Sequence, residues 1–268
     1  MEQKTIDYSE GYKNDNQLME MHSARYAGVF NPAGDMSPED AIAFFARVSN
    51  PNNQMNYETA PRLLKFLVVN SHWSPFDMVQ MSVKVRTTRS IAAQILRHWS
   101  FRFQEFSQRY AEVSEFDFSK VEARVKAAGG NRQGSAEVDE VQTHYMQELC
   151  AAQSQNYMTL TQDNGEDLPP LAPESARDIL PLATPTTLYM TGSVRSWMTY
   201  FWQRLCPHAQ KEHREVAWSM FAIFEEQFPM IADLVLNHRP QVVECDWSSD
   251  RPSKDPEWKQ EQRSFPVE

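Results

Sequence analysis

The chain has 268 residues, 41% of them hydrophobic, and a formal net charge of -10. That length and apolar content suit one elaborated domain with a sizeable core, and the negative charge disfavours long-range attraction to nucleic acid or to an anionic membrane. The opening MEQKTIDYSEGYKND has no apolar segment, and Phe66 to Val69 is too short an apolar run to span a bilayer. A soluble chain, neither exported nor membrane-spanning, is expected. Cys150, Cys206 and Cys245 lie far apart with no CxxC pair, which fits reduced thiols and a cytoplasmic location, or a host's cytoplasm if the source is viral.

In chain order, Ser37-Pro38-Glu39-Asp40 supplies an N-cap hydroxyl, a first-turn proline and a carboxylate three residues on, predicting a helix from Ser37 to about Ser49. Glu58 to Ser71 is dense enough in Leu63, Leu64, Phe66, Leu67 and Val68 for a helix buried on most sides, stopped by His72-Trp73-Ser74-Pro75. Val79, Met81, Val83 and Val85 then alternate with Gln80, Ser82, Lys84 and Arg86, the period of a strand with one buried face. From Thr88 to about Trp99 the period turns helical, and residues 97–110 are expected to leave that helix as a loop.

Lys120 to Ser135 reads as a loop or helix-to-helix connection, Val138 to Met158 as a long helix, and residues 163–173 as a turn region. Pro173 opens a short helix that Pro181 ends. Thr186 to Ser193 reads as a second strand, followed by helices over Val194 to Leu205 and about Ala209 to Phe228. A single domain over residues 1–242 is therefore expected, with 243–268 as an irregular extension.

The stretch RHWSFRFQEFSQRY, residues 97–110, carries the chemistry. Between Lys84 and Tyr110 stand six basic residues and one acid, Glu105, in an otherwise acidic chain. Arginine dominates, as expected where planar donors grip phosphate or carboxylate oxygens. Aromatic residues interleave with the arginines and polar side chains accompany them, which describes a ligand pocket. A nucleic-acid groove would use the same residue types, but the net charge and the shortness of the stretch weigh against it. His208 and His213, five residues apart, do not share a helical face as zinc ligands would, and no metal site is expected.

The segment Arg97-His98-Trp99, seven residues, Ser107 resembles the Arg-His-Arg-x7-Ser signature of flavin-dependent thymidylate synthases. Four further elements resemble that family in order: Ala46-Arg47-Val48-Ser49; His72-Trp73-Ser74-Pro75-Phe76; Arg177 to Pro181; and Arg195-Ser196, Arg204 and His208-Ala209-Gln210. The resemblance implies an α+β fold, a twisted, mainly antiparallel sheet with flanking helices, assembled as a homotetramer with sites shared between subunits. It implies conversion of dUMP to dTMP, with FAD as cofactor, methylenetetrahydrofolate as one-carbon donor and NADPH as reductant.

By the same resemblance, Gln94, Ile95, Leu96, Arg97, Glu105, Phe106, Ser107, Gln108 and Arg109 would hold dUMP, with Arg177 supplied by another subunit. Arg204 would be catalytic, meeting the uracil ring and stabilising charge as its N3 proton is lost. Ser49, Ser74, Arg97, His98, Trp99, Glu105, Ser193, Val194, Arg195, Thr199 and His208 would line the FAD site, and His72 would lie near the folate. No protein nucleophile is implied. Cys206-Pro207-His208 inverts the Pro-Cys-His of the unrelated classical enzymes and is assigned to packing.

The chain departs from the family pattern at Trp99, where the third arginine is replaced. Ser193 and Thr199 stand for two asparagines and Gln104 for another. Weaker or differently posed FAD binding is the expected consequence. Two other readings stay open at this stage, a related deoxyuridylate hydroxymethylase and a nucleotide-binding homologue without turnover.

Overall fold

In the computed structural model, the described residues are 19–30, 32, 36–126, 135–162 and 169–238. The first helix, α1 (Pro38–Ala46), begins as its sequence dictates. Ser37 Oγ accepts from Asp40 N at 3.1 Å, and the Asp40 carboxylate accepts from Ser37 N at 3.3 Å, a reciprocal capping box. α2 (Ala60–Val69) buries Ala60, Leu64, Leu67 and Val68 but leaves Phe66 and Val69 exposed, so it is covered on one side and not most.

The remaining helices are α3 (Arg89–Ile95), α4 (Glu140–Thr161), α5 (Pro173–Ala176), α6 (Val194–Arg204), α7 (Lys211–Gln227) and α8 (Pro229–Asn237). Two departures from the sequence reading concern these helices. α3 stops at Ile95, so Arg97 and His98 follow it in a turn closed by His98 N donating to Ile95 O at 3.0 Å. α7 gives way at Phe228 to a separate helix, α8, because Pro229 offers no amide proton to continue the ladder yet suits the first turn of a new helix. Fully buried Ile231 and Val235, four residues apart, then tie α8 down.

The strands are β1 (Ser23–Val29), β2 (Gln80–Thr88), β3 (Arg102–Glu105), β4 (Arg124–Lys126), β5 (Ser135–Val138) and β6 (Pro185–Ser193). Four form one sheet in the order β1-β2-β6-β3, and β4 pairs antiparallel with β5. Hydrogen bonds give the directions in the larger sheet. Phe30 N reaches Gln80 O while His22 Nδ1 meets Thr87 Oγ1, so β1 runs against β2. Ser82 Oγ meets Thr191 Oγ1 and Arg89 N reaches Thr184 O, so β2 runs against β6. Phe106 N donates to Thr187 O while Phe101 lies against Gly192, so β3 runs against β6. The chain is thus α+β with antiparallel sheet.

Several strands correct the sequence reading. β1 was not anticipated, because SARYAGV has neither strict alternation nor an apolar run. Residues 102–105, expected in a loop, form the edge strand β3. Part of the Lys120–Ser135 stretch, also expected as loop, forms the β4–β5 ribbon; residues 127–134 lie outside the described residues. β2 is buried on both faces from Val83 onward, including Lys84 and Arg86, as happens where a sheet is covered on both sides. Most of the expected turn region, 163–168, and the whole extension 243–268 also lie outside the described residues.

The chain divides into two compact units, each built from three stretches: Met1–Ser23, Arg86–Gln94 and Glu105–Leu188 in one, Ala24–Val85, Ile95–Gln104 and Tyr189–Glu268 in the other. The second unit has the larger aromatic core: Phe201 meets Phe221 and Phe224 at 5.1 Å between ring centroids, and Trp197 stacks on it at 5.7 Å. Such pairs favour tilted and edge-on geometry over a face-to-face sandwich. The first unit gathers Val113, Tyr157 and Ala176, with Phe116, Met158 and Leu180 packed around them.

Candidate active site

The unit that carries α6 and the turn after α3 brings three of the expected residues together. Arg204, in the last turn of α6, donates from Nε to His98 Nε2 at 3.0 Å. To accept, that nitrogen must be unprotonated, which places the neutral ring's proton on Nδ1. The surroundings enforce neutrality: burial first, then the Arg204 and Arg97 charges, lower the His98 pKa to about 4. Burial and Arg97 likewise lower the Arg204 pKa. A half-buried guanidinium is therefore held against a neutral imidazole, with the exposed Arg97 adding cationic charge.

The N-terminus of α6 makes a second cluster in the same unit. Ser193 caps the helix, accepting from Ser196 N at 3.2 Å, and its hydroxyl donates to Asp77 Oδ1 at 3.0 Å. Arg195 donates from Nη1 to Asp77 Oδ2 at 3.0 Å. Asp77 was not singled out in the sequence, although it directly follows the Ser74-Pro75-Phe76 element; one carboxylate there orients both Ser193 and Arg195. Ser196 Oγ also donates to Ser100 O at 3.2 Å, tying the helix start to the turn that bears His98.

Other expected residues of this unit are dispersed in their roles. Trp99 is 89% exposed, and its carbonyl accepts from Arg102 Nη1 at 3.3 Å. Thr199 Oγ1 donates back to Arg195 O at 3.1 Å. Val194 and Ile95 are fully buried, and the Val194 amide is spent on Val79 O at 2.9 Å. Leu96 is partly exposed, Ser49 is exposed in a turn, and Ser74 is exposed at the start of a short 3-10 helix, Ser74–Asp77. His72 is exposed and meets the Phe66 ring edge-on at 5.8 Å. His208 Nδ1 lies 3.3 Å from Cys206 Sγ. Cys150 is free.

The other unit holds the remaining nucleotide candidates. Glu105, on β3, is engaged by Arg89 and accepts from Thr186 Oγ1 at 3.0 Å. Arg109 donates to Glu174 at 3.0 Å across an exposed ion pair. Ser107 Oγ accepts from Arg109 N at 3.4 Å, and Gln94 is half-buried at the end of α3. Gln108 is buried with its amide nitrogen lacking a partner, and Arg177 is exposed. Phe106 lines a cavity of about 130 Å³ together with Arg86, Glu115 and Thr186. Arg89, Thr186 and Glu174 escaped the sequence reading because their partners lie 16, 81 and 65 positions away.

Comparison with known proteins identifies the lineage of this α+β chain. Residues 34–230 match the model of the family described as thymidylate synthase complementing protein. A probable flavin-dependent thymidylate synthase of Paramecium bursaria Chlorella virus 1 is 43% identical over 216 residues, covering 78% of this chain and 97% of that protein. The flavin-dependent thymidylate synthase of a Synechocystis species is 43% identical over 200 residues, 74% of this chain and 89% of that one. A crystal structure of a UMP/dUMP methylase from Streptomyces cacaoi, bound with 5-Br dUMP, superposes with a TM-score of 0.66 at 23% identity, covering 80% of this chain and 94% of that chain; it shows the shared fold. The chain belongs to the flavin-dependent thymidylate synthase family.

Proposed function

We propose that the chain is an FAD-dependent thymidylate synthase converting dUMP to dTMP, with methylenetetrahydrofolate as one-carbon donor and NADPH as reductant. Family membership over residues 34–230 supports the reaction class. The observation that carries the mechanism is the Arg204 guanidinium held by neutral His98 at 3.0 Å. A cation fixed in a half-buried position stabilises charge that develops on a uracil ring as its N3 proton is lost, without reorganising water at that moment. Arg204 fills that role, and His98 accepts its Nε–H so that the remaining guanidinium protons stay available to the substrate.

The residues present fit an FAD. Exposed Arg97 and Arg195 supply cations, and Arg195 lies in the first turn of α6, where helix geometry favours phosphate oxygens. Asp77 holds Arg195 in place, while the exposed Trp99 indole offers a stacking face where the family signature has a cation. When bound, FAD would supply the hydride that completes the methyl group. Gln94, Ser107, Gln108 and Arg109 would hold the nucleotide, with Arg177 contributed by a second subunit of a homotetramer, and His72 would lie beside the folate.

The test is purified protein loaded with FAD and given dUMP, methylenetetrahydrofolate and NADPH. dTMP, identified by mass and by release of tritium from 5-labelled dUMP, is the expected product. A hydroxymethyl product, or none at saturating FAD, would overturn the proposal. Arg204→Ala is expected to abolish measurable turnover while leaving the fold intact by circular dichroism.

A further inference from the structure

The buried partners behind Arg204 extend beyond His98. The His98 ring meets Tyr200 edge-on at 4.8 Å between centroids and His213 at 6.2 Å. Tyr200 is fully buried on α6, one turn before Arg204, and its hydroxyl lies 3.1 Å from His213 Nε2 on α7. His213 is itself fully buried in the first half of α7. Phe101 closes the same box, 5.8 Å from Tyr200 and 6.5 Å from His98. His98 thus has walls on several sides and one acceptor nitrogen facing Arg204.

We propose that Tyr200 and His213 are positioning residues: their buried hydrogen bond locks the Tyr200 ring against His98 and thereby fixes the direction in which Arg204 is presented. This rests on the reading of Arg204 as the residue that meets the uracil ring. The chemistry favours a polar lock over an apolar filler for a definite reason. A buried hydroxyl and imidazole each lose heavily if unpaired, so the pair has one preferred arrangement, whereas apolar side chains of the same volume slide through several. A guanidinium whose donor direction drifts by a fraction of an ångström delivers less charge stabilisation in the transition state while still binding substrate.

The charged and titratable groups facing this lock are Arg97, His98 and Arg204. Burial first, then the Arg204 and Arg97 charges, hold His213 neutral, with its pKa lowered to about 2, and burial raises the Tyr200 pKa well above that of a free phenol. The Tyr200–His213 bond therefore persists, uncharged, across the working pH range.

The experiment compares wild type, Tyr200→Phe and the double variant Tyr200→Phe/His213→Leu as FAD-loaded protein. Tyr200→Phe removes only the hydroxyl and leaves the imidazole without that partner. The double variant removes both polar groups, so stability in urea is expected to recover. The proposal requires that turnover not recover with it: kcat falls about tenfold in both variants, with KM for dUMP within about twofold of wild type. If kcat returns along with stability, or Tyr200→Phe turns over like wild type, the pair is merely structural. Should Tyr200→Phe fail to fold, His213→Gln, which keeps a hydrogen-bonding amide, must retain kcat while His213→Leu loses about tenfold; wild-type kcat in His213→Leu overturns the proposal.

A second readout separates this from the function itself. The ¹⁵N–¹H signal of Arg204 Nε, assigned by its loss in Arg204→Lys, is expected to shift in Tyr200→Phe. A shifted signal with no dTMP from wild type would leave the lock standing and sink the proposed reaction. An unmoved signal would sink the lock whatever the turnover.

Discussion

Replacing Glu39 with glutamine is expected to change how stability depends on pH, and by a calculable amount. Glu39 lies in the first turn of α1, 3% exposed, and its carboxyl accepts from Ile231 N at 2.8 Å at the start of α8. Burial raises its pKa from 4.5 to about 7 in spite of backbone hydrogen bonds from Ile231 and Met230, with neighbouring Asp40 adding to the rise. Desolvation therefore outweighs the helix-terminal donors, which would favour the anion. The folded state holds this proton more tightly than the unfolded chain does. Its contribution is complete below about pH 4.5 and is lost as pH rises through about 7.

At about 1.4 kcal/mol for each tenfold change, the displacement is worth about 3 kcal/mol across that window. His98 and His213 act oppositely, since their lowered pKa values cost stability as pH falls through the ordinary histidine range. Comparison of wild type with Glu39→Gln cancels them. Glutamine keeps the acceptor for Ile231 N and cannot ionise. Urea denaturation from pH 5 to pH 8 should show the two proteins drawing apart, Glu39→Gln gaining about 3 kcal/mol on wild type by pH 8. A difference that stays constant over this range would refute the argument that Glu39 is protonated by burial.

Gly192→Ala should destabilise the fold by about 1–3 kcal/mol in the same assay, as overpacking does. A Cβ at residue 192 would lie 2.4 Å from Phe101 Cδ1, and Trp197 at 4.8 Å and Tyr200 at 5.8 Å prevent the ring from swinging away. Adding Phe101→Leu should recover part of the loss. Trp99→Arg should tighten FAD binding about fivefold at low salt, because an arginine restores a phosphate-directed cation, and the gain should fade near 0.5 M salt; fluorescence titration measures both. Arg109→Ala should raise KM for dUMP about tenfold with little change in kcat. Its exposed pair with Glu174 contributes little to folding, so its urea midpoint should stay that of wild type.

Local rules made much of this protein readable from its sequence. The capping box at Ser37 to Asp40, the strand over 185–193, the helix from Val194 and the short helix at Pro173 are set by neighbours within a few positions, so the sequence alone determined them. The basic stretch and Arg204 were recognisable as motif residues for the same reason. Tertiary structure decided what depends on long-range partners. It made residues 102–105 a strand, because β6 supplies the acceptor that a loop reading cannot foresee. It buried Lys84 and Arg86 on an inner strand where alternation alone promised a solvent face. It also placed His213, first weighed as a metal ligand, behind Tyr200 and His98. Hydrogen bonds between residues 13 and 106 positions apart convert a set of familiar residue types into one directed guanidinium, and no periodicity in the chain encodes that direction.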